Sequence, residues 1–151
     1  MPPSEAKDNL ILDAFLNALA AIGTPASEWL TNPVVEEGPP PDSIPPVDVR
    51  PRIYLDQPRT DFPSDGQNVG PSHRWRTHLV AYVCAKNLRT ANQGRADVLR
   101  AVYAAEGSIQ TQFGLKPRPE ESGKIDDLVR AGVYIKVQPF FLDHQTDHTA
   151  T

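Results

Sequence analysis

The sequence predicts an α+β domain: a small, mainly antiparallel β-sheet with two amphipathic α-helices packed on it and long Pro-rich loops around it. Three observations carry this. Residues 73–85, HRWRTHLVAYVCA, alternate by two and end in near-continuous apolar residues, the pattern of a central strand. Two stretches, 10–22 and 91–103, place apolar residues at helical spacing. Six of the 16 prolines fall between Pro39 and Pro51, where they exclude helix and interior strand.

In the expected central strand, Trp75, Thr77, Leu79, Ala81 and Val83 share one side, and Arg74, Arg76, His78, Val80, Tyr82 and Cys84 the other. The far half is apolar on both sides, which a strand tolerates only where both faces are covered. The near half offers one wet, basic face.

With 151 residues, one domain spanning 1–151 is expected, able to bury about 68–70% of its unfolded surface. The net charge of −4 argues against a dedicated binder of nucleic-acid phosphate. The single Cys84 lies in the apolar run and reads as a small buried hydrophobe rather than a reactive thiol. There is no run of roughly 18 apolar residues, so no membrane partner is expected. MPPSEAKDN lacks the basic-then-apolar order of a signal peptide, which predicts a soluble chain, cytosolic when made.

Along the chain, Ser4 or Asp8 is positioned to cap a helix carrying Leu10, Ile11, Ala14, Phe15, Ala18, Leu19 and Ile22 on one face, closed by Gly23. A stripe this wide on a short helix reads as core rather than as a partner-binding face. Thr24-Pro25 opens a short turn, ASEWL, anchored by Trp29. PVVEE at 33–37 reads as a short strand. The strap at 38–48 then reads as a semi-rigid surface connection or as an arm reaching a neighbour.

Alternation returns over 49–56, with Pro51 placing that strand at an edge or near its own start. The turn-rich stretch 57–72 makes a long hairpin loop to the central strand. Arg50, Arg52, Arg74 and Arg76 would then gather on one face, as a solvated surface or as a surface for an acidic partner or passing DNA. Thr90 to Gln93 has the form of a capping box opening a second helix, with Ala91, Ala96, Leu99, Val102 and Tyr103 on its inner face and Gly107 as its end. Residues 112–127 are loop-like. GVYIKVQPFFL at 132–142 is the last strand, with Pro139 marking an edge, a bulge or the end of pairing. The tail 143–151 is polar and expected to be flexible.

The sequence offers little reactive chemistry. There is no nucleophile elbow, phosphate loop, dinucleotide fingerprint or paired-cysteine metal site. Asp143, His144, Asp147 and His148 form a DHxxDH tail whose histidines on a helix would lie one turn apart, but it lacks the Glu of the HExxH zinc motif. His73 and His78 point to opposite sides of a strand. No catalytic, cofactor-binding or metal-ligating residue is therefore assigned, and no enzyme is expected. A metal-dependent hydrolase using the tail histidines remains an alternative, as does a generic interaction module.

The order of elements carries more information than any motif. The helix LILDAFLNALAAIG, the tryptophan in EWLTNPVVEEG, the strand VRPRIYLDQ, a long loop, the strand HRWRTHLVAYVCA, the helix TANQGRADVLRAVYAAE and the closing strand GVYIKVQPFFLDH together resemble the tail terminator (tail completion) proteins of tailed bacteriophages. The resemblance spans nearly the whole chain and implies a non-enzymatic, ring-forming subunit. It implies a homo-oligomer, a hexamer in that family, placed on the last ring of tail tube protein. There it stops tube growth and forms the joint to the head-tail connector or stopper protein. DNA passes through the ring without sequence-specific binding. It implies location in the virion tail or neck, after assembly in the host cytoplasm. A head-closure or connector component of the same neck is the nearest alternative. On this reading the strap 38–48, the loop 57–72 and the tail after Asp143 make the contacts, with Arg50, Arg52, Asp61, Phe62, Asp65, Arg74 and Arg76 as candidate interface residues.

Overall fold

The computed structural model describes residues 6–22, 33–47, 50–61, 72–120 and 128–147. Among these, two helices, α1 (Lys7–Ala20) and α2 (Leu88–Phe113), pack on a mixed sheet. Its strands are β1 (Val34–Glu37), β2 (Arg52–Asp61), β3 (Ser72–Ala85), β4 (Arg118–Pro119), β5 (Leu128–Arg130) and β6 (Val133–Asp147). The order across the sheet is β1-β2-β3-β6-β4, with β5 also on β6. The α+β class is as expected, and β3 lies in the middle. Its ladder with β6 is unbroken from Ser72↔Asp147 to Ala85↔Tyr134.

The alternation of β3 separates two cores. Leu79, Ala81 and Val83 face the helices, where they meet Ile11, Phe15 and Leu19 of α1 and Val98 and Val102 of α2. Phe140 and Leu142 of β6 join them, and the Phe15 and Phe140 rings stand 5.8 Å apart, tilted by 60°. That tilted arrangement is worth about 0.5–1.5 kcal/mol beyond area burial. On the opposite face Cys84, Tyr54 and Ile135 are buried beneath Val47 and Ile44 of the strap. The doubly apolar half of β3 is thus covered on both sides, by helices on one and proline-rich chain on the other.

The strap has a topological reason to be there. β1 and β2 are neighbours and parallel, so the chain must cross a face of the sheet between them. A helix usually makes that crossing; here the proline-rich chain does, described over 38–47 and 50–51. Gly38, at φ 91°, leaves the ladder after its N–H bonds Leu55 O at 2.8 Å, and Pro51 O accepts from Val34 N at 2.9 Å where the strap returns. Of the two readings of the strap, the segment 44–47 fits the connection packed on its own subunit. Because β1 flanks β2, Pro51 marks a strand start and not an edge.

Several boundaries differ from expectation. β2 begins at Arg52 and continues to Asp61, through residues expected in the hairpin loop. Its register shifts between Asp56↔Val80 and Arg59↔His78, so Gln57 and Pro58 together oppose Leu79. This bulge accommodates a proline that a regular ladder would exclude. Residues 143–147, expected as flexible tail, extend β6, because the outer end of β3 offers five unpaired positions that a polar segment satisfies as well as an apolar one. Pro139 lies inside β6, but its carbonyl points outward to Glu120 N at 2.9 Å, so its missing donor also lies on the outer side and costs the β3 ladder nothing.

The helices also start and stop elsewhere. α1 has Ala6 at its N-cap with no side-chain cap; Asp8 sits in the first turn, and Ser4 lies outside the described residues. α2 is capped by Asn87, whose side chain accepts from Thr90 N at 2.8 Å, so the expected capping box at Thr90 falls inside the helix. Gly107 does not end α2; Gly114, at φ 94°, does, through its N–H to Gln110 O at 2.7 Å. The helix runs on because Ile109 and Phe113, beyond Gly107, are buried. Tyr103, expected inside, is 71% exposed. The hairpin β5–β6 was not expected. It turns through Ala131 (φ 50°) and Gly132 (φ 80°), both left-handed as a two-residue type I′ turn requires. Gly23, Trp29, Val49 and His148 lie outside the described residues.

Candidate functional site: polar clusters and flanks of the sheet

The near half of the strap-side face is polar, as the alternation predicts, but Arg76 and Arg59 on it are not bare. Arg76 makes a bidentate pair with Asp143, Nε to Oδ1 at 2.7 Å and Nη2 to Oδ2 at 3.1 Å, and its guanidinium lies 4.2 Å from the Phe141 ring centroid. The hydrogen bond to Asp143 holds the guanidinium proton still more firmly than usual, against the opposing effect of burial. Next to it, His78 stands between two carboxylates, Nδ1 2.9 Å from Glu120 and Nε2 3.3 Å from Asp61. Arg59 also pairs with Asp61, at 3.2 Å. Arg52, at the other end of β2, pairs with Glu36 of β1 at 3.2 Å.

The four arginines therefore do not gather. Arg52 opposes Cys84 and Arg76 lies eight positions away on β3 (84 − 76), about 26 Å at strand rise. Arg50 is exposed just ahead of β2. Arg74 pairs its backbone with Gln145, and its side chain lies outside the described residues, as do Phe62 and Asp65. Asp61 is the last residue of β2 rather than a loop residue. Of the candidate interface residues, the structure brings Asp61 and Arg76 together as Cα partners.

A second cluster lies on the helix side. Asp8 Oδ1 accepts from Thr60 Oγ1 at 3.2 Å and from Thr77 Oγ1 at 3.1 Å, and Thr77 Oγ1 is 2.7 Å from His144 Nε2. Gln57 Nε2 donates to the Asp8 carbonyl at 2.9 Å. Thr77 Oγ1 also lies 3.1 Å from Thr60 Oγ1, so its single proton is shared among Asp8, Thr60 and His144 in one buried network. Burial lowers the His144 imidazole below its ordinary value, with Asp8 opposing. The three residue types suggest a nucleophile, a base and an acid. Their arrangement argues otherwise, because the carboxylate bonds the hydroxyl and Thr77 is fully buried. The cluster ties α1 to β2, β3 and β6.

Residues 143–147 are strand and not helix, so the tail metal site loses the helical spacing it was read from; His148 and the Asp147 side chain lie outside the described residues. Asp143 and His144 are adjacent in β6 and point to opposite faces, one to Arg76 and the other to Thr77. No group of three potential ligands is found among the described residues.

Two concavities line the β4 flank. An apolar groove of about 400 Å³ is floored by Leu99, Val102 and Phe140 and walled by Tyr103, Pro117 and Pro119. A more polar cleft of about 360 Å³ is lined by Arg76, Lys116, Arg118, Phe141 and Asp143, among others. Sequence reasoning missed Glu120, the Asp8–Thr77–His144 cluster and the groove. A threonine and a histidine side by side in an apolar strand were the one available signal for the clusters. No family model matches the chain, and no curated protein matches it.

Proposed function

We propose that this protein is a structural subunit of a tailed bacteriophage, a tail terminator that caps the tail tube, stops its polymerisation and joins it to the head connector. The observation that carries the reading is the sheet, which ends in two different flanks. β1 is at one side and β4 with β5 at the other, and no strand among the described residues covers either. A ring closed by head-to-tail contacts requires two unlike surfaces on every copy. The element order expected of the family, helix, strands, helix, strand, supports the same reading. Passage of DNA is supported by the balanced charge of the strap-side face, where Arg52 and Arg76 are each already held by a carboxylate and so are poor competitors for phosphate.

The contact segments of the proposal are narrower than the sequence alone implies. They comprise residues 62–71, the strap before Ile44, the flanks and the tail from His148, which like 62–71 lies outside the described residues, since 57–61 and 143–147 belong to strands. The test is to mix the purified protein with growing tubes of a phage tail tube protein and image them in negative stain. Tubes that stop growing and carry an added ring at one end are expected. Tubes that grow without limit and bind nothing overturn the proposal. Replacing 62–71 with a short Gly-Ser linker should leave a folded protein that fails to join tails to heads.

A further inference from the structure

We infer that the protein associates with itself through one defined contact, in which the β1 flank of one copy, with Glu37 and the prolines after Gly38, docks on the β4 flank of the next, with Arg118 and the groove under Tyr103. Charge is the first argument. Glu37 is exposed at the end of β1 and forms no ion pair among the described residues; Arg118 is exposed in β4 and likewise forms none. Their near neighbours are occupied, Glu36 by Arg52 and Lys116 by Glu106 at 3.6 Å. Glu37 on one flank and Arg118 on the other are thus charges of opposite sign with no ion pair among the described residues.

Surface chemistry is the second. Tyr103 stands 71% exposed at the wall of an apolar groove, where a lone subunit leaves a large ring in water. An aromatic-walled groove is the surface that extended proline-rich chain recognises, because that chain is already ordered before it binds. Pro39 is exposed and Pro40 half-buried on the opposite flank, directly after Glu37. Ligand and receptor therefore lie on different sides of one sheet, so the contact propagates from copy to copy and cannot satisfy itself within one chain.

The inference rests on the ring reading only for its head-to-tail geometry, and the test separates the two. Sedimentation of Glu37→Lys and Arg118→Glu alone should show self-association weakened about fivefold or more relative to wild type, as like charges meet across the contact. An equimolar mixture of the two should recover wild-type association, because each variant then meets the other's complementary flank. Tyr103→Ser should weaken association about tenfold while circular dichroism stays unchanged. The inference is overturned by a wild type that is monomeric at about 1 mM, by single variants that associate as wild type does, or by a mixture that fails to recover. It is equally overturned if a free proline-rich peptide fills the groove while copies do not associate. Association that obeys the charge swap in a protein that caps no tube leaves this contact standing and removes the terminator reading. Capping by rings indifferent to the swap does the reverse.

Discussion

The hydroxyl of Thr77 lies 2.7 Å from Nε2 of His144, a contact between the two central strands made inside the protein and not at its surface. Through Thr77 the carboxylate of Asp8 is joined to the same network, so the start of α1 is fastened to the sheet by polar bonds beside the apolar core.

Thr77→Val keeps the shape and removes the contacts to Asp8, His144 and Thr60. With His144 left without its Thr77 partner and Asp8 without one donor, chemical denaturation should show a loss of about 2 kcal/mol. Thr60→Val, which takes away only a part-buried donor, should cost about half as much. Equal losses would mean that the network does not centre on Thr77.

Stability should depend on pH through His144. Burial depresses its folded value below 6.5, so the unfolded chain binds the proton first as pH falls. This contribution is complete above about pH 6.5 and is lost progressively below it. His144→Gln keeps a donor toward Thr77 but cannot titrate; its denaturation midpoint should fall less than that of wild type between pH 6.5 and 5. Parallel curves for the two proteins would contradict the assignment.

The start of α2 distinguishes two possible caps. Asn87→Ala removes the side chain that bonds Thr90 N and should cost about 1 kcal/mol, whereas Thr90→Ala should lie within about 0.5 kcal/mol of wild type. Thermal denaturation of the pair decides between them.

Strap opening should be readable at Cys84, which is fully buried on the face that Val47 and Ile44 cover. In the native protein a thiol reagent should react only as fast as the cover lifts. Val47→Ser should speed modification at least about tenfold, beyond what its lower global stability, measured separately, accounts for. An unchanged rate would mean that Cys84 is reached by another route.

The turn into β6 gives a backbone test. Nothing lies within 4 Å of a side chain added at Gly132, yet its φ of 80° disfavours one. Gly132→Ala should therefore cost about 1 kcal/mol without steric clash, and Ala131→Asn should be neutral or stabilising, because asparagine accepts a left-handed φ better than alanine.

The sheet core was legible because it depends on periodicity: alternation in 73–85 and helical spacing in 10–22 each report burial directly. What depends on register was not. Asp61, His78 and Glu120 are 17 and 42 residues apart in the chain and meet only once β2, β3, β4 and β6 are aligned. The polar run DHQTD became strand because backbone pairing with Ser72–Arg76 is indifferent to side-chain polarity. β5 escaped notice because three residues are too few to show a period, and Ala131-Gly132 lacks the asparagine or aspartate that advertises a hairpin. α2 passed Gly107 because tertiary packing of Ile109 and Phe113 outweighs the roughly 1 kcal/mol that glycine costs a helix.

Among the described residues the last strand in chain order, β6, occupies an interior place, with β3 on one side and β4 and β5 on the other. During synthesis, everything that precedes it must therefore wait with the whole flank of β3 open, and the sheet closes only in a late, long-range step. A chain stopped before Val133 leaves that flank of β3 without its partner, an open template for mispairing rather than a smaller version of the protein.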